Sequence, residues 1–311
     1  MIAVCIATYN HERYIAQCLE SVLMQQCDEP IRIYIGDDAS TDGTETVCQR
    51  FAAQDKRIVY LRRAQNMGLS GNTLDLYRRI LADGCAYIAM LDGDDYWTEP
   101  KKLKLQIDHL CAHPECGFVH TGGRVLSGAK TWTFEAKEGI YGLQGASFAN
   151  CTVLFRASLL SEELIAALES QHFLWLDYPL YGVFHQGTQW AFLPVETAVW
   201  RDHESVSQPT STTSVMQLRE ERVRMWKWLD TRYPGQVGYS NEEADDYLMT
   251  ERLNLIYTSG DKSLFTPDLI HTFHPRSVKL RIKQIGLKHP VLFWCLRLIT
   301  KTKSVKNRKN T

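Results

Sequence analysis

The sequence predicts an α/β fold in which a largely parallel sheet is flanked by helices and followed by a helical C-terminal region. Two patterns carry that expectation. Across residues 1–120, short apolar runs rich in branched side chains alternate with segments whose apolar positions recur at helical spacing, as in successive β-α-β units. Beyond a Ser/Thr-rich stretch at 207–214, strand-like runs give way to helical ones. With 311 residues, 44% hydrophobic and 23% charged, the chain can bury a large core, which excludes disordered and collagen-like classes.

Residues 2–7 read as the first buried strand. Tyr14, Ile15, Cys18, Leu19, Val22 and Leu23 recur at helical spacing and predict the first helix; residues 31–35 predict the second strand. In the DDASTDGT loop that follows, Asp42 can cap a helix running to Phe51, because its carboxylate can accept amide hydrogens that lack a partner in the first turn. Residues 57–61, 69–81, 85–91 and 101–111 continue as strand, helix, strand and helix, and 116–121 as a fifth strand. Strands joined by single helices pair in parallel, and ligands bind such sheets where loops leave the carboxyl ends of the strands. Three polar clusters stand there: TYN at 8–10, DDASTDGT at 37–44 and DGDDYW at 92–97. Residues 122–208 are more irregular, with strands expected at 150–156, 188–193 and 196–201. Helices are expected at 215–230, 241–258 and 275–303, so the chain divides into a ligand-binding domain, 1–210, and a helical region with a basic amphipathic tail, 211–311.

The formal net charge of -1 hides an asymmetry: from Leu269 onward there are eleven Lys or Arg and no acid, which leaves 24 basic against 36 acidic residues before it. Nine scattered cysteines without a C-x-x-C pair indicate neither a disulfide framework nor a zinc site and fit a reducing compartment. No positive region precedes the first apolar run, which meets Asn10, His11 and Glu12 too soon for a signal peptide. The apolar stretch 291–300 is interrupted by Arg297 and falls short of the ~20 residues a spanning helix needs. A cytoplasmic protein is the expectation.

The densest chemical signal is Asp92, Asp94 and Asp95 directly after an apolar strand. Three carboxylates in four residues repel one another unless water or a cation compensates, and oxygen ligands suit a hard divalent ion such as Mg²⁺ or Mn²⁺. The bland alternative is a solvated turn with a helix cap. Asp37 and Asp38 close the second strand, where a carboxylate can accept from a nucleobase N–H or a ribose hydroxyl, or simply cap a loop. Neither G-x-G-x-x-G nor G-x-x-x-x-G-K-[ST] is present to explain these acids.

The ordered set IATYNHERYI (6–15), CLESVLMQQ (18–26), IGDDASTDGT (35–44), NMGLSGN (66–72) and LDGDDYWTEPKKLKLQ (91–106) resembles the family 2 glycosyltransferases of the GT-A fold. WLDYPL (175–180) and VWRDHESVS (199–207) resemble that family's acceptor-side and closing motifs, and Ala7 departs from it where proline is common. The resemblance implies a Rossmann-like mixed sheet and a set of roles. Thr8, Tyr9, Asn10 and Asp38 would line the nucleotide-sugar pocket, bordered by Asn66 and Gly68. Asp92 would face the ribose, and Asp94 would ligate Mn²⁺ or Mg²⁺ on the diphosphate, whose negative charge grows as it departs.

Asp177, taken from the residues alone, reads as the N-cap of a helix with Pro179 in its first turn; the resemblance makes it the general base of an inverting transfer. His203 alone reads as a surface histidine in a polar turn, and the resemblance places it on the metal with Arg201 on the phosphates. Among Trp97, Trp132, Trp175, Trp190 and Trp200, core packing is the general reading, with sugar stacking weighed first for Trp97. The basic end, with Val278, Ile282, Ile285, Leu287, Val291, Leu292, Phe293 and Leu296, reads as a contact with the inner membrane surface, with a merely solvated tail as the bland alternative; no RNA- or DNA-binding motif accompanies it. Together these imply transfer from a nucleotide-sugar, a UDP-sugar first, to a saccharide or lipid-linked saccharide in cell-surface polysaccharide synthesis. A catalytically silent binder of the same fold and a nucleotidyltransferase are the alternatives.

Overall fold

In a computed structural model of the chain, residues 1–128, 130–134, 149–203, 212–236, 240–266 and 277–289 are described, together with 269, 273, 275, 292–294, 296 and 297. The chain forms two compact units, Met1–Val206 and Ser207–Thr311.

The first unit begins β1 (Ile2–Thr8), α1 (Ile15–Leu23), β2 (Ile31–Asp37), α2 (Thr44–Gln54), β3 (Ile58–Arg62), α3 (Gly68–Ala82), β4 (Tyr87–Asp92). It continues β5 (Tyr96–Trp97), α4 (Lys102–Ala112), β6 (Cys116–Ser127), β7 (Lys130–Phe134), β8 (Leu154–Arg156), α5 (Glu162–Glu169), α6 (Asp177–Gly187) and β9 (Gln189–Asp202). The strands form one mixed sheet in the order β3-β2-β1-β4-β8-β6-β9-β5, with β7 added on β6. β1 runs parallel to both β2 and β4, and β2 parallel to β3, as the alternation of strand and helix requires. All seven residues of β1 are buried because neighbouring strands and covering helices leave it no wet face. Ile15, Cys18, Leu19 and Val22 of α1, Phe51 of α2, and Leu103, Ile107 and Leu110 of α4 pack with it in one core. Asp42 opens α2, accepting from Thr44 N–H at 3.0 Å and Thr44 Oγ1–H at 2.6 Å.

Beyond β4 the sheet departs from the parallel expectation. Residues 150–156 form a single 3₁₀ turn, Asn150–Thr152, before the short β8, which runs antiparallel between β4 and β6. The two strands expected at 188–193 and 196–201 are one strand, β9, parallel to β6. Pro194, which has no amide hydrogen to donate, lies where the register slips: Thr121 faces Leu193, while Gly122 faces Glu196. β6 runs six residues past the expected end at 121, because Gly122 and Gly123 continue the strand rather than break it.

The second unit contains α7 (Thr212–Arg232), α8 (Asn241–Ser259) and α9 (Val278–Lys288). Ser240 and Glu243 form a reciprocal capping box at the start of α8, and Gly260 ends it at φ 80°, a conformation that favours glycine. Met216, Leu253, Ile256, Tyr257, Leu264, Leu269, Phe273 and Phe293 form its own core. Among the described residues no helix is long and apolar enough to cross a membrane. The stretch 207–211 and residues 298–311 of the basic tail lie outside the described residues.

Candidate active site

Registry brings the three polar clusters together. Thr8 pairs with Asp37 across β1 and β2, and Ala7 with Asp92 across β1 and β4, so the TYN, DDAS and DGDD loops leave adjacent parallel strands at one edge. The amide hydrogens of Asp38 and Gly93 are donated to Thr8 O and Ala7 O, each at 2.9 Å, which ties both loops back to β1. Asn10 has φ 56°; its amide oxygen accepts from Thr41 N–H at 2.8 Å and its own N–H is donated to Ser40 Oγ at 2.9 Å. It therefore joins the first two loops, while Tyr9 stays 43% exposed beside it.

The second loop holds two buried acids on different partners. Asp37 is buried, accepting from Tyr60 O–H at 2.6 Å and Ser40 N–H at 2.9 Å. Asp38 accepts from Met67 N–H at 2.7 Å, and Asn66 donates to Asp38 O at 3.2 Å, so the NMGLSGN segment folds over Asp38. Burial pushes the Asp38 carboxyl upward against the pull of the Met67 and Gly68 amides.

The three acids of the third loop, which would repel if they shared one volume, point to separate partners. Asp95 is buried, accepts Arg201 N–H at 2.8 Å, and is pushed well above the carboxylate range by burial and its two neighbours. It fastens the end of β9 to the loop. Asp94 Oδ2 lies 3.1 Å from His203 Nε2 and 3.8 Å from His11 Nε2. His11 is oriented through its other nitrogen, 3.2 Å from Thr8 Oγ1, and burial lowers its pKa despite nearby Asp94. His203 packs on Tyr14 in a tilted arrangement, with ring centroids 4.5 Å apart. Gly93 makes the close approach possible, since a Cβ there would sit 2.5 Å from Thr8 Oγ1 and 2.9 Å from His11 Nδ1.

Asp92 faces a different space, a cavity of about 80 Å³ lined also by Leu69, Tyr77, Asn150, Trp175, Asp177 and Tyr181. Burial first, then Asp94 and Asp177, push its carboxyl to about 7, while Asn150 Nδ2, donating at 3.3 Å, opposes the shift. Tyr181 O–H donates in turn to Asn150 Oδ1 at 2.5 Å. Asp177 is the first residue of α6, accepts Tyr178 N–H at 2.8 Å, and stands across the cavity wall from Asp92. It is thus both a helix-opening residue and a cavity carboxylate.

Arg201 is buried and heavily engaged: its guanidinium donates to Asp94 O and Gln17 Oε1 and lies over the rings of Tyr96, 4.4 Å away, and Tyr14, 5.1 Å away. These contacts make it a strut beneath the acid loop. Trp97 is not a sugar platform; it is 1% exposed, donates to Cys151 O at 2.8 Å and packs against Lys102. Trp175 is the indole that lines the cavity.

Sequence reading therefore located Asp92, Asp94, Asp177 and His203 in one region and missed His11, Tyr14, Asn150 and Tyr181. His11 carried a signal, since it follows TYN at the end of β1. Asn150 and Tyr181 carried none, because only the packing of the 3₁₀ turn before β8 and of α6 brings them to Asp92.

Asp94 and the two histidines offer a carboxylate oxygen and imidazole nitrogens, donors suited to Mn²⁺. Among the described residues no three such side chains enclose an ion, so phosphate and water oxygens would complete its shell. The donor set fits a metal held jointly with a diphosphate.

A mixed sheet that gathers acidic and polar loops at β1, β2 and β4, with an acid pair divided between a histidine-faced edge and a small cavity, is the arrangement of a nucleotide-sugar transferase domain of the GT-A type. Residues 3–156 match the glycosyl transferase family 2 model, and the first unit of this chain belongs to that family. An uncharacterized protein of Mycobacterium tuberculosis is 29% identical over 205 residues, covering 63% of this chain and 57% of its own length. The chain thus spans little more than half of that relative. Two solved structures share the fold: Staphylococcus aureus TarS 1-349 with UDP-GlcNAc, 15% identical, TM-score 0.53, covering 92% of this chain and 78% of that one. The other is the Pyrobaculum calidifontis mannosyltransferase PcManGT with GDP-Man and Mn²⁺, 16% identical, TM-score 0.52, covering 100% of this chain and 87% of that one.

Proposed function

We propose that the chain is a metal-dependent inverting glycosyltransferase that moves a sugar from a nucleoside diphosphate, a UDP-sugar first, to a saccharide or lipid-linked saccharide hydroxyl. One observation carries the reading: Asp94, facing His203 and His11, and Asp92, facing Asp177 across a small cavity, diverge from a single turn. That divergence gives separate places to a leaving diphosphate and to the sugar it leaves.

Asp94 and His203 would hold Mn²⁺ or Mg²⁺ against the diphosphate. When bound, the ion supplies positive charge to the leaving group. Asp38 and Tyr9, with Asn66 and Gly68 shaping the border, receive the nucleoside, and Thr8 keeps His11 turned to Asp94. Arg201 acts on the phosphates through its buried charge, with one N–H of each terminal nitrogen already given to Asp94 O and Gln17 Oε1. Asp92 holds the ribose and donor-sugar side of the cavity. Asp177 accepts the proton of the acceptor hydroxyl as its oxygen bonds to the anomeric carbon and the bond to the diphosphate breaks. An acceptor on a lipid carrier places the protein in the cytoplasm at the inner membrane face.

The test is a nucleotide-sugar screen read by product. A released nucleoside diphosphate with transferred or hydrolysed sugar supports the reading; pyrophosphate marks a nucleotidyltransferase, and saturable binding without release marks a silent binder. Asp94→Ala should abolish Mn²⁺-dependent UDP binding by calorimetry, and unchanged binding refutes the metal assignment.

A further inference from the structure

The helix α9 has two faces of opposite destination. Leu280 and Leu287 pack against the core of the second unit, Lys283 is 5% exposed with Nζ donating to Asn254 Oδ1 at 3.0 Å, and Gln284 donates to the carbonyls of Leu269 and Phe273. Positions 280, 283, 284 and 287 are one helical stripe, so this side is a structural face. Leu287, Phe293 and Leu296, expected from sequence to meet a membrane, are consumed by the same core.

The opposite stripe, 281, 282, 285 and 288, carries Ile282 at 42% and Ile285 at 51% exposure between exposed Arg281 and Lys288, with exposed Lys279 adjacent. Two branched apolar side chains held outward in the middle of a cationic face do not serve the fold. The sequence from Leu269 onward adds positive charge only, eleven Lys or Arg without an acid. Nucleic acid would use the cations and leave the isoleucines in water; an anionic lipid surface uses both, with acyl boundary for the apolar centre and headgroup phosphates for the flanks.

We infer that the outward face of α9, centred on Ile282 and Ile285, docks on an anionic lipid bilayer. This deepens the membrane-surface part of the proposed function and is independent of its chemistry, because vesicle binding and sugar transfer are read separately.

The experiment is co-sedimentation of the full chain with mixed phosphatidylglycerol–phosphatidylcholine vesicles and with pure phosphatidylcholine vesicles. Binding should require the anionic lipid, weaken as salt is raised, and fall at least about tenfold in the double variant Ile282→Ser/Ile285→Ser. Arg281→Gln/Lys288→Gln is the second arm and should weaken binding and flatten its salt dependence. Circular dichroism should match the parent for both variants, and melting for the isoleucine variant, whose two side chains are exposed; Arg281 Nε donates to Pro275 O at 2.8 Å, so the charge variant gives up that one hydrogen bond and is compared with the parent at equal folded fraction. The inference is overturned if the full chain does not bind, if neutral vesicles bind as well, or if the isoleucine variant binds like the parent. It is also overturned if ultracentrifugation shows that the isoleucine variant dissociates an oligomer, which makes the face a contact between copies.

Discussion

Substituting Gly93 by alanine probes the geometry on which the proposed chemistry depends. The added Cβ would lie 2.5 Å from Thr8 Oγ1, 2.7 Å from Thr8 Cβ and 2.9 Å from His11 Nδ1, where ordinary contact begins at 3.4 Å. Relief needs a displacement of about 1 Å, and neither neighbour is free to give it. Thr8 ends a strand paired on both sides, and its carbonyl accepts Asp38 N–H at 2.9 Å. Overpacking of this kind costs about 1–3 kcal/mol. For a unit of this size, 1 kcal/mol shifts Tm by roughly 2–4 °C, so the melt should fall by roughly 2–12 °C. An approximately 1 Å shift of His11 and Asp94 should also weaken transfer by about a hundredfold. Differential scanning fluorimetry reads the first effect; the product-release assay reads the second, with calorimetric titration of UDP and Mn²⁺ beside it to follow the accompanying loss of binding. Thr8→Ala added to Gly93→Ala should restore much of the melt, because the two closest atoms belong to Thr8. It should not restore binding, because His11 loses the Thr8 hydroxyl that orients it. A Gly93→Ala protein that melts with the parent and binds UDP equally refutes the packing argument.

Asp177→Asn should leave UDP binding intact and lower transfer by more than about a hundredfold; full transfer by this variant rejects the base assignment. Asp92 has a folded-state pKa of about 7, above the unfolded value. Its contribution to stability is therefore present below pH ~4 and lost as pH rises through ~7, and Asp92→Asn should gain stability over the parent across that window in metal-free buffer. Denaturant titrations at several pH values check this, and a pH-independent difference contradicts it. Lys102 is fully buried, with burial lowering its pKa to about 7. The unfolded chain binds this proton up to pH ~10, so the parent should gain on the order of 4 kcal/mol relative to Lys102→Met between pH ~7 and ~10. A flat difference over that range means that the ammonium is solvated.

Local pattern determined much of this protein. The β-α-β alternation, the strand ends at Thr8, Asp37 and Asp92, and the helix opened by Asp42 all follow from interactions within a few residues or from the period of apolar side chains. The later strands did not follow in this way. β8 is three residues long and is a strand only because β4 and β6 lie on either side of it. β9 looks interrupted at Pro194 until β6 is present to absorb the slipped register.

The division of labour among Asp92, Asp94 and Asp95 likewise belongs to the tertiary structure. Composition shows three acids in one turn, but their directions are set by groups distant in sequence: Asn150 for Asp92, His203 and His11 for Asp94, and the backbone of Arg201 for Asp95. The same holds for α9, whose apolar residues are alike in sequence until packing takes Leu280 and Leu287 inward and leaves Ile282 and Ile285 in solvent. Periodicity fixes which residues share a face; only the arrival of a partner determines which face is buried, because burial is a property of two surfaces and a sequence segment supplies one.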